Sequence, residues 1–150
     1  MNMDAQQKLR LRKLLFGALL ALIGLSIVLA VTRRGRWIIP EEAKRRENPI
    51  EPSAQALHAA RDLYRENCVQ CHGGMGKGDG PEAARHYPAP ADLTNAKRMS
   101  AVTDGEIFYQ ISEGWRPMPA FKTRLTEEQR WQLVLLVRSF ARPEEKPKEK

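Results

Sequence analysis

The 150-residue chain is long enough for one ordinary domain, or for a smaller domain with an anchor. Its net charge of +7 and pI of about 9.7 raise the question of nucleic-acid binding. The excess of basic residues is confined to the N-terminal part of the chain. Residues 1–40 carry seven Lys or Arg and one Asp, whereas residues 41–150 carry 18 Lys or Arg and 17 Asp or Glu. The remaining chain is nearly neutral and offers no basic stripe for phosphates, which excludes nucleic acid as a partner.

An apolar run near the N-terminus predicts a membrane span. Residues 14–32 contain no charged side chain, and a helix of that length covers about 30 Å, the hydrocarbon thickness of a bilayer. Basic and aromatic residues flank this apolar segment. The basic N-terminus 1–13 precedes it, and Arg33, Arg34, Arg36 and Trp37 follow it. We predict a retained signal-anchor helix over 14–32, with cleavage after Ala30 as the alternative.

Two charged segments containing proline frame the rest of the chain. Residues 33–52 are predicted to be a linker, extended from Pro40 to Pro52, because they lack an apolar period. Residues 143–150 are charged and interrupted by proline, so we predict a disordered tail. The folded domain is therefore expected over residues 53–142.

Three helices are predicted in this domain from their N-terminal capping residues. Ser53 begins the first helix, and the capping boxes Thr103–Glu106 and Thr126–Gln129 begin the second and third. The second helix is expected to end at Gly114. The residues expected to face inward are Leu57, Ala60, Tyr64 and Cys68 in the first helix, Ile107, Phe108 and Ile111 in the second, and Trp131, Val134, Leu135, Val137, Arg138 and Phe140 in the third. No segment alternates as a strand does, so we predict an all-α domain.

Both cysteines of the chain lie in the motif Cys68-Val69-Gln70-Cys71-His72. The pattern Cys-x-x-Cys-His is the attachment site of a c-type haem, in which the two thiols form thioethers with the vinyl groups and the histidine binds iron. A thiol redox pair would need a sheet of the thioredoxin type, and zinc would need four ligands. Neither context is present, so we predict one covalent haem c held by Cys68, Cys71 and His72.

The second axial ligand of the iron is predicted to be Met118. It stands in Pro117-Met118-Pro119, where the two prolines are expected to hold the backbone extended as a stiff strap. Met75 is three residues from His72, and about 10 Å of chain cannot pass around a porphyrin. Met99, His58 and His86 could reach the iron but lie in no comparable strap. The Gly- and Pro-rich residues 73–100 are expected to wrap the haem edge. The Gly76–Gly80 run within them is not a phosphate-binding loop, because such a loop follows a strand and opens a helix, whereas this run follows the haem motif and leads into Pro81.

The combination and order of these motifs resemble those of class I cytochromes c, especially the cytochrome c domains of cbb-type oxidases. The resemblance covers residues 48–142 and rests on Leu63-Tyr64, the Cys68–Gly73 motif, Gly76-Lys77-Gly78-Asp79-Gly80-Pro81, Pro90-Ala91-Asp92-Leu93-Thr94, Thr103-Asp104-Gly105-Glu106, Gly114, Met118-Pro119-Ala120-Phe121 and Leu125-Thr126-Glu127-Glu128. It implies that the first and last helices cross closely and that a loop carbonyl near Pro88 or Pro90 fixes His72. Ala60 stands where glycine is common at the crossing, and Leu136 where an aromatic is common.

With histidine and methionine on both axial sites, the iron has no free position, which suits one-electron transfer rather than catalysis. The expected function is that of a single-pass protein of the cytoplasmic (inner) membrane, with its haem domain in the periplasm, acting as a subunit of a respiratory or photosynthetic electron-transfer complex. Its partners would be redox proteins or the other subunits. The alternatives are a tethered electron shuttle, or a haem enzyme or gas sensor with an open or labile sixth site.

Overall fold

The computed structural model describes residues 4–33 and 38–141, and the chain divides into two compact units, Met1–Ile38 and Ile39–Lys150. The predictions made for Arg34, Arg36, Trp37 and the tail 143–150 lie outside the described residues.

The N-terminal unit contains helix α1 (Ala5–Arg33), which begins nine residues before the predicted span. Gln, Lys, Leu and Arg predominate before residue 14, and all of them favour helix. The carboxylate of Asp4 accepts a hydrogen bond from the Gln7 N–H at 2.8 Å and so caps the first turn. The stretch Gln6–Ala30 is long and apolar enough to cross a membrane. A signal sequence has the same length and composition, so cleavage after Ala30 stays open.

All regular secondary structure in the described part of the C-terminal unit is helical. Its elements are α2 (Glu41–Lys44), α3 (Ala54–Asn67), α4 (Val69–His72), a 3₁₀ turn (Ala83–Arg85), α5 (Ala96–Ser100), α6 (Asp104–Glu113) and α7 (Glu127–Phe140). Within residues 4–33 and 38–141 there is no strand, and an isolated bridge between Trp115 and Met118 is the nearest approach to one. The prediction of an all-α domain is confirmed.

The three predicted helix starts are present as hydrogen-bonded caps. The Ser53 hydroxyl accepts from the Ala56 N–H at the start of α3. Both capping boxes form, with Thr103 and Glu106 at α6 and with Thr126 and Gln129 at α7. Because each cap satisfies N–H groups that a helix end leaves without a partner, sequence signals of this kind locate helix starts well. The short α5 was not predicted.

The core lies where α3 crosses α7 and α6 packs beside them. Ala60 is completely buried at the crossing, so a methyl group is accommodated where the family often has glycine. The rings of Phe108 and Trp131 are stacked with their centroids 4.0 Å apart and join α6 to α7. Leu133 and Leu136 are also buried, although the helical period did not place them on the inner face, because α7 is covered on more than one face.

The predicted extended linker is wrong for residues 41–50, which pack against the domain. Ala43 in α2 is buried, and a Cβ at Gly105 would lie 2.0 Å from the Ala43 carbonyl oxygen, so α2 and α6 are in direct contact. The Thr103 hydroxyl donates to the Lys44 carbonyl at 2.7 Å. These contacts are tertiary, and the charged residues between them hide any apolar period in the sequence.

Arg46 fastens the end of this segment to both α6 and α7. Its guanidinium lies 4.6 Å from the Phe108 ring centroid and 5.2 Å from that of Trp131, and it donates a hydrogen bond to the Glu127 carboxylate. Asn48 adds a bond from its side-chain amide to the Trp131 carbonyl at 3.1 Å. The domain therefore begins near residue 39 rather than at residue 53.

Replacing Arg46 with alanine is expected to lower the free energy of unfolding, since a cation over an aromatic face contributes about 0.5–1 kcal/mol. The neighbouring variant Arg45→Ala is the matched control, because Arg45 is exposed and should change stability little. Guanidinium denaturation followed by tryptophan fluorescence would measure both. Equal stability of the two variants would mean that the segment is not fastened through Arg46.

Candidate haem-binding site

The Cys-x-x-Cys-His motif forms a single helical turn. Cys68 is the N-cap of α4, and its carbonyl accepts the N–H groups of Cys71 at 3.2 Å and His72 at 2.9 Å. Gly73 ends the turn with a φ of 76°, a conformation that glycine adopts without strain. Both cysteine side chains are partly exposed. The two sulfurs and the imidazole are thus presented by one short, rigid segment.

His72 is oriented by a backbone carbonyl. Its Nδ1 lies 3.2 Å from the oxygen of Ala91, and because a carbonyl can only accept, the imidazole donates through Nδ1–H. Burial holds the pKa of His72 below its ordinary value, against the opposing effect of this hydrogen bond. The ring is therefore neutral at neutral pH and keeps the lone pair of Nε2 for a metal.

The carbonyl that holds His72 belongs to the residue after Pro90. The sequence does not choose between Pro88 and Pro90 as the marker of this loop, and it does not identify Ala91 as the acceptor. The motif Pro90-Ala91-Asp92-Leu93-Thr94 contained the signal, but nothing in a sequence shows which of several carbonyls points at a side chain 19 residues away.

Tyr64 supports the same turn from α3. Its buried hydroxyl donates to the Gly73 carbonyl at 2.9 Å, and its ring meets that of Phe140 edge-on at 5.2 Å. Burial raises the pKa of Tyr64 well above its ordinary value of 10.0, with the Asp79 charge acting in the same direction. The phenol is therefore a donor at every physiological pH.

Replacing Tyr64 with phenylalanine is expected to cost about 1 kcal/mol of folding stability, because the Gly73 carbonyl loses its donor. The pH dependence should change as well. A raised native pKa means that the tyrosine contributes its full stability below about pH 10 and loses it as the pH rises further. Denaturation curves of both proteins at pH 7 and pH 10.5 would test this, and an unchanged alkaline loss in the variant would contradict it.

Met118 lies in a strap that is a tight turn rather than an extended segment. The N–H of Met118 donates to the Trp115 carbonyl at 2.7 Å, and the Trp115 N–H donates back at 2.9 Å. The predicted extended backbone is therefore wrong over residues 115–118, because the chain reverses at Arg116 and Pro117. Beyond the turn, the Phe121 N–H donates to the Ile111 carbonyl and closes the strap against α6.

Gly114 lets the strap fold back closely. A Cβ at this position would lie 2.4 Å from the carbonyl carbon of Pro119, and the backbone has a φ of 62°. Phe121 is buried in the core, and Met118 is partly buried against it. The thioether is thus carried by a short loop that is fixed at both ends.

The other residues considered as axial ligands have different surroundings. Met75 is 65% exposed in the loop after His72, and Met99 is buried in the core. His58 is on the surface of α3, 3.4 Å from the Asp62 carboxylate. His86 is partly buried, and its ring lies near Cys71 and Glu82, with the possible ligand atoms of all three within 4.8 Å of one another.

The surroundings of the thiols argue against a thiol redox site. Burial raises the pKa of the Cys68 thiol to about 12 and also raises the pKa of Cys71, where the Glu82 charge adds to the effect. Reactive redox cysteines have a lowered pKa, because the thiolate is the nucleophile. The residues present fit haem c instead: two thiols and a neutral imidazole lie on one turn, and a thioether is held in a separate fixed strap.

The helical fold and this donor set together define a class I c-type cytochrome domain. The family described as cytochrome C oxidase, cbb3-type, subunit III matches residues 55–137, more than half of the chain, and the chain belongs to that family. Membership in it implies haem c as the cofactor and a role in electron transfer. No curated protein matches the sequence.

The solved structures that are similar to this chain include the following two. One is the Kuenenia stuttgartiensis reducing HAO-like protein complex Kustc0457/Kustc0458, with a TM-score of 0.55 and 28% identity over 63% of this chain. The match covers 47% of that chain, so this protein corresponds to less than half of it. The other is the KustC0563 c-type cytochrome, with a TM-score of 0.48, 30% identity, and coverage of 55% of this chain and 98% of that one.

Proposed function

We propose that this protein is a membrane-anchored monohaem cytochrome c that carries single electrons on the periplasmic side, as a subunit of a respiratory or photosynthetic electron-transfer complex. The observation that carries the proposal is the pairing of a carbonyl-oriented neutral imidazole at His72 with a fixed thioether at Met118. We assign these two residues as the axial ligands and Cys68 and Cys71 as the covalent attachment sites.

The four residues have separate tasks in this mechanism. When bound, haem c supplies an iron that changes its charge by one unit. Cys68 and Cys71 hold the porphyrin permanently, so the cofactor stays in place during encounters with partners. His72 would bind the iron through Nε2 while the Ala91 carbonyl holds its ring in one orientation. Met118 would supply the second ligand, and a neutral sulfur ligand favours the reduced state.

The chain is suited to electron transfer and not to catalysis if both axial ligands remain in place. A six-coordinate iron offers no position for a substrate, and the same ligands serve both oxidation states, so little reorganisation accompanies the transfer. The fixed strap supports this assignment, since the Trp115–Met118 turn and the Phe121–Ile111 hydrogen bond restrict movement of Met118. The protein would then be a carrier within a larger oxidoreductase.

The location follows from two features. Helix α1 is long and apolar enough to cross a membrane, which supports a single-pass anchor in the inner membrane. Covalent haem is attached outside the bacterial cytoplasm, so the C-terminal unit belongs in the periplasm. This assignment rests on the haem motif, because basic residues lie on both sides of the apolar run.

A fixed subunit is favoured over a tethered shuttle by the charge of the domain. Residues 41–150 carry 18 basic and 17 acidic side chains, too balanced to steer a mobile carrier over long distances. A mildly solubilised membrane run on a native gel and stained for haem tests the choice. A large stained band whose other subunits are found by mass spectrometry supports the complex, whereas a band at the size of the chain alone supports a shuttle.

A further inference from the structure

The glycine-rich loop after the haem motif lies between His72 and the carbonyl that orients it. The Gly78 N–H donates to the His72 carbonyl at 2.9 Å, which ties this glycine to the end of α4. Two residues earlier, the Gly76 carbonyl accepts the Leu93 N–H at 2.7 Å, which ties the same loop to the segment containing Ala91. The loop therefore links the histidine to its hydrogen-bond acceptor through the backbone.

Gly78 is in direct contact with that segment. A Cβ built on Gly78 would lie 2.6 Å from the Pro90 carbonyl oxygen and 3.3 Å from the carbonyl carbon and oxygen of Ala91. The oxygen of Ala91 is the one that accepts from His72 Nδ1, at 3.2 Å. A side chain at position 78 would therefore force the loop and the backbone of residues 90–91 to shift relative to each other.

We propose that Gly78 is a positioning residue that sets the strength of the His72–Ala91 hydrogen bond and, through it, the reduction potential. This inference rests on the proposed function, in which His72 binds the iron. Because residue 78 has no side chain, the Ala91 carbonyl can approach His72 Nδ1 closely enough to accept a hydrogen bond from it. The glycine does not touch the cofactor in this account; it acts through the histidine.

The effect is expected to be large for a small displacement. A separation of 3.2 Å is at the long end of the range for N–H···O hydrogen bonds, so a few tenths of an ångström more would break the bond. A carbonyl partner makes the imidazole more basic, and a more basic ligand stabilises the oxidised iron. Loss of the bond should therefore raise the reduction potential.

The test compares three substitutions in the same loop of the haem-loaded full chain. Gly78→Ala introduces the contact with residues 90–91. Gly78→Asn is the control for backbone strain at the φ of 75°, because it carries the same Cβ on a side chain that tolerates positive φ better than alanine does. Gly74→Ala is the neutral control, since nothing lies within 4 Å of its Cβ. Each protein is titrated for its potential, and the exchange of the His72 Nδ1 proton is followed by NMR in the reduced state.

The proposal expects both substitutions of Gly78 to raise the potential and to speed exchange of the ring proton about fivefold to tenfold, the equivalent of one lost hydrogen bond. It is overturned if they match Gly74→Ala in both measurements. If the alanine variant does not fold, Gly78→Asn carries the same Cβ on the side chain that best tolerates positive φ, and its result decides. Absence of a His72 ring proton shifted by the porphyrin ring current in the reduced parent protein would instead refute the proposed axial ligand.

Discussion

Replacing Met118 with alanine is expected to open the iron to carbon monoxide and to lower its reduction potential. The methionine is held by the Trp115–Met118 turn, and no other sulfur is presented by that strap. Axial ligands span a range of about 0.8 V in haem proteins, so a fall on the order of 0.1 V or more is expected on losing the thioether. Absorbance spectra of the reduced protein with and without carbon monoxide, together with a redox titration, measure both effects.

Met75→Ala is the matched control for this experiment. Its side chain is 65% exposed, and it stands three residues from His72, so the same substitution should leave carbon monoxide binding and the potential unchanged. If the parent protein binds carbon monoxide as readily as the Met118 variant does, the sixth position is already open. The functional assignment would then change from an electron carrier to a haem enzyme or gas sensor.

Replacing both Cys68 and Cys71 with serine is expected to abolish covalent attachment completely. Serine hydroxyls do not form thioethers with vinyl groups, so haem should become extractable by acidified solvent, whereas none should leave the parent protein. The single variant Cys71→Ser is the informative control, because Cys68 can still form one thioether. The mass of the denatured chain distinguishes these states, and a haem-sized mass remaining on the double variant would contradict the assignment.

The helix starts show how far local chemistry determines this fold. Ser53, Thr103 and Thr126 each accept a hydrogen bond from their own helix, so the partners are only three residues away and the pattern is visible in the sequence. The haem motif is equally local, since Cys68, Cys71 and His72 belong to one turn. Features of this kind could be predicted without a structure.

The features that were missed or wrong depend on distant partners. The segment 41–50 is ordered by Arg46 and Asn48, whose contacts lie 60 or more residues further along the chain. Ala91 is identified as the acceptor for His72 only by the three-dimensional path of a Pro-rich loop. The turn at Met118 is made by two reciprocal backbone bonds that no residue type specifies.

Arg138 illustrates the same limit within a correctly predicted helix. The sequence placed it on the inner face of α7, where a charge is unexpected. The structure shows that its guanidinium donates to the Asp104 carboxylate and to the carbonyls of Met99 and Val102. The Arg138 guanidinium thus provides hydrogen-bond donors for backbone carbonyls at the end of α5 and in the loop that follows it. These partners are distant in the sequence, so this role is visible only in the folded structure.

The most direct test of a single six-coordinate haem that carries one electron is a potentiometric titration of the purified full chain. The account predicts one transition that follows a one-electron Nernst curve and is superimposable with and without carbon monoxide. A second transition would contradict the single haem. A shift to higher potential under carbon monoxide would show that the gas binds the reduced iron, which contradicts the assignment of His72 and Met118 as permanent axial ligands.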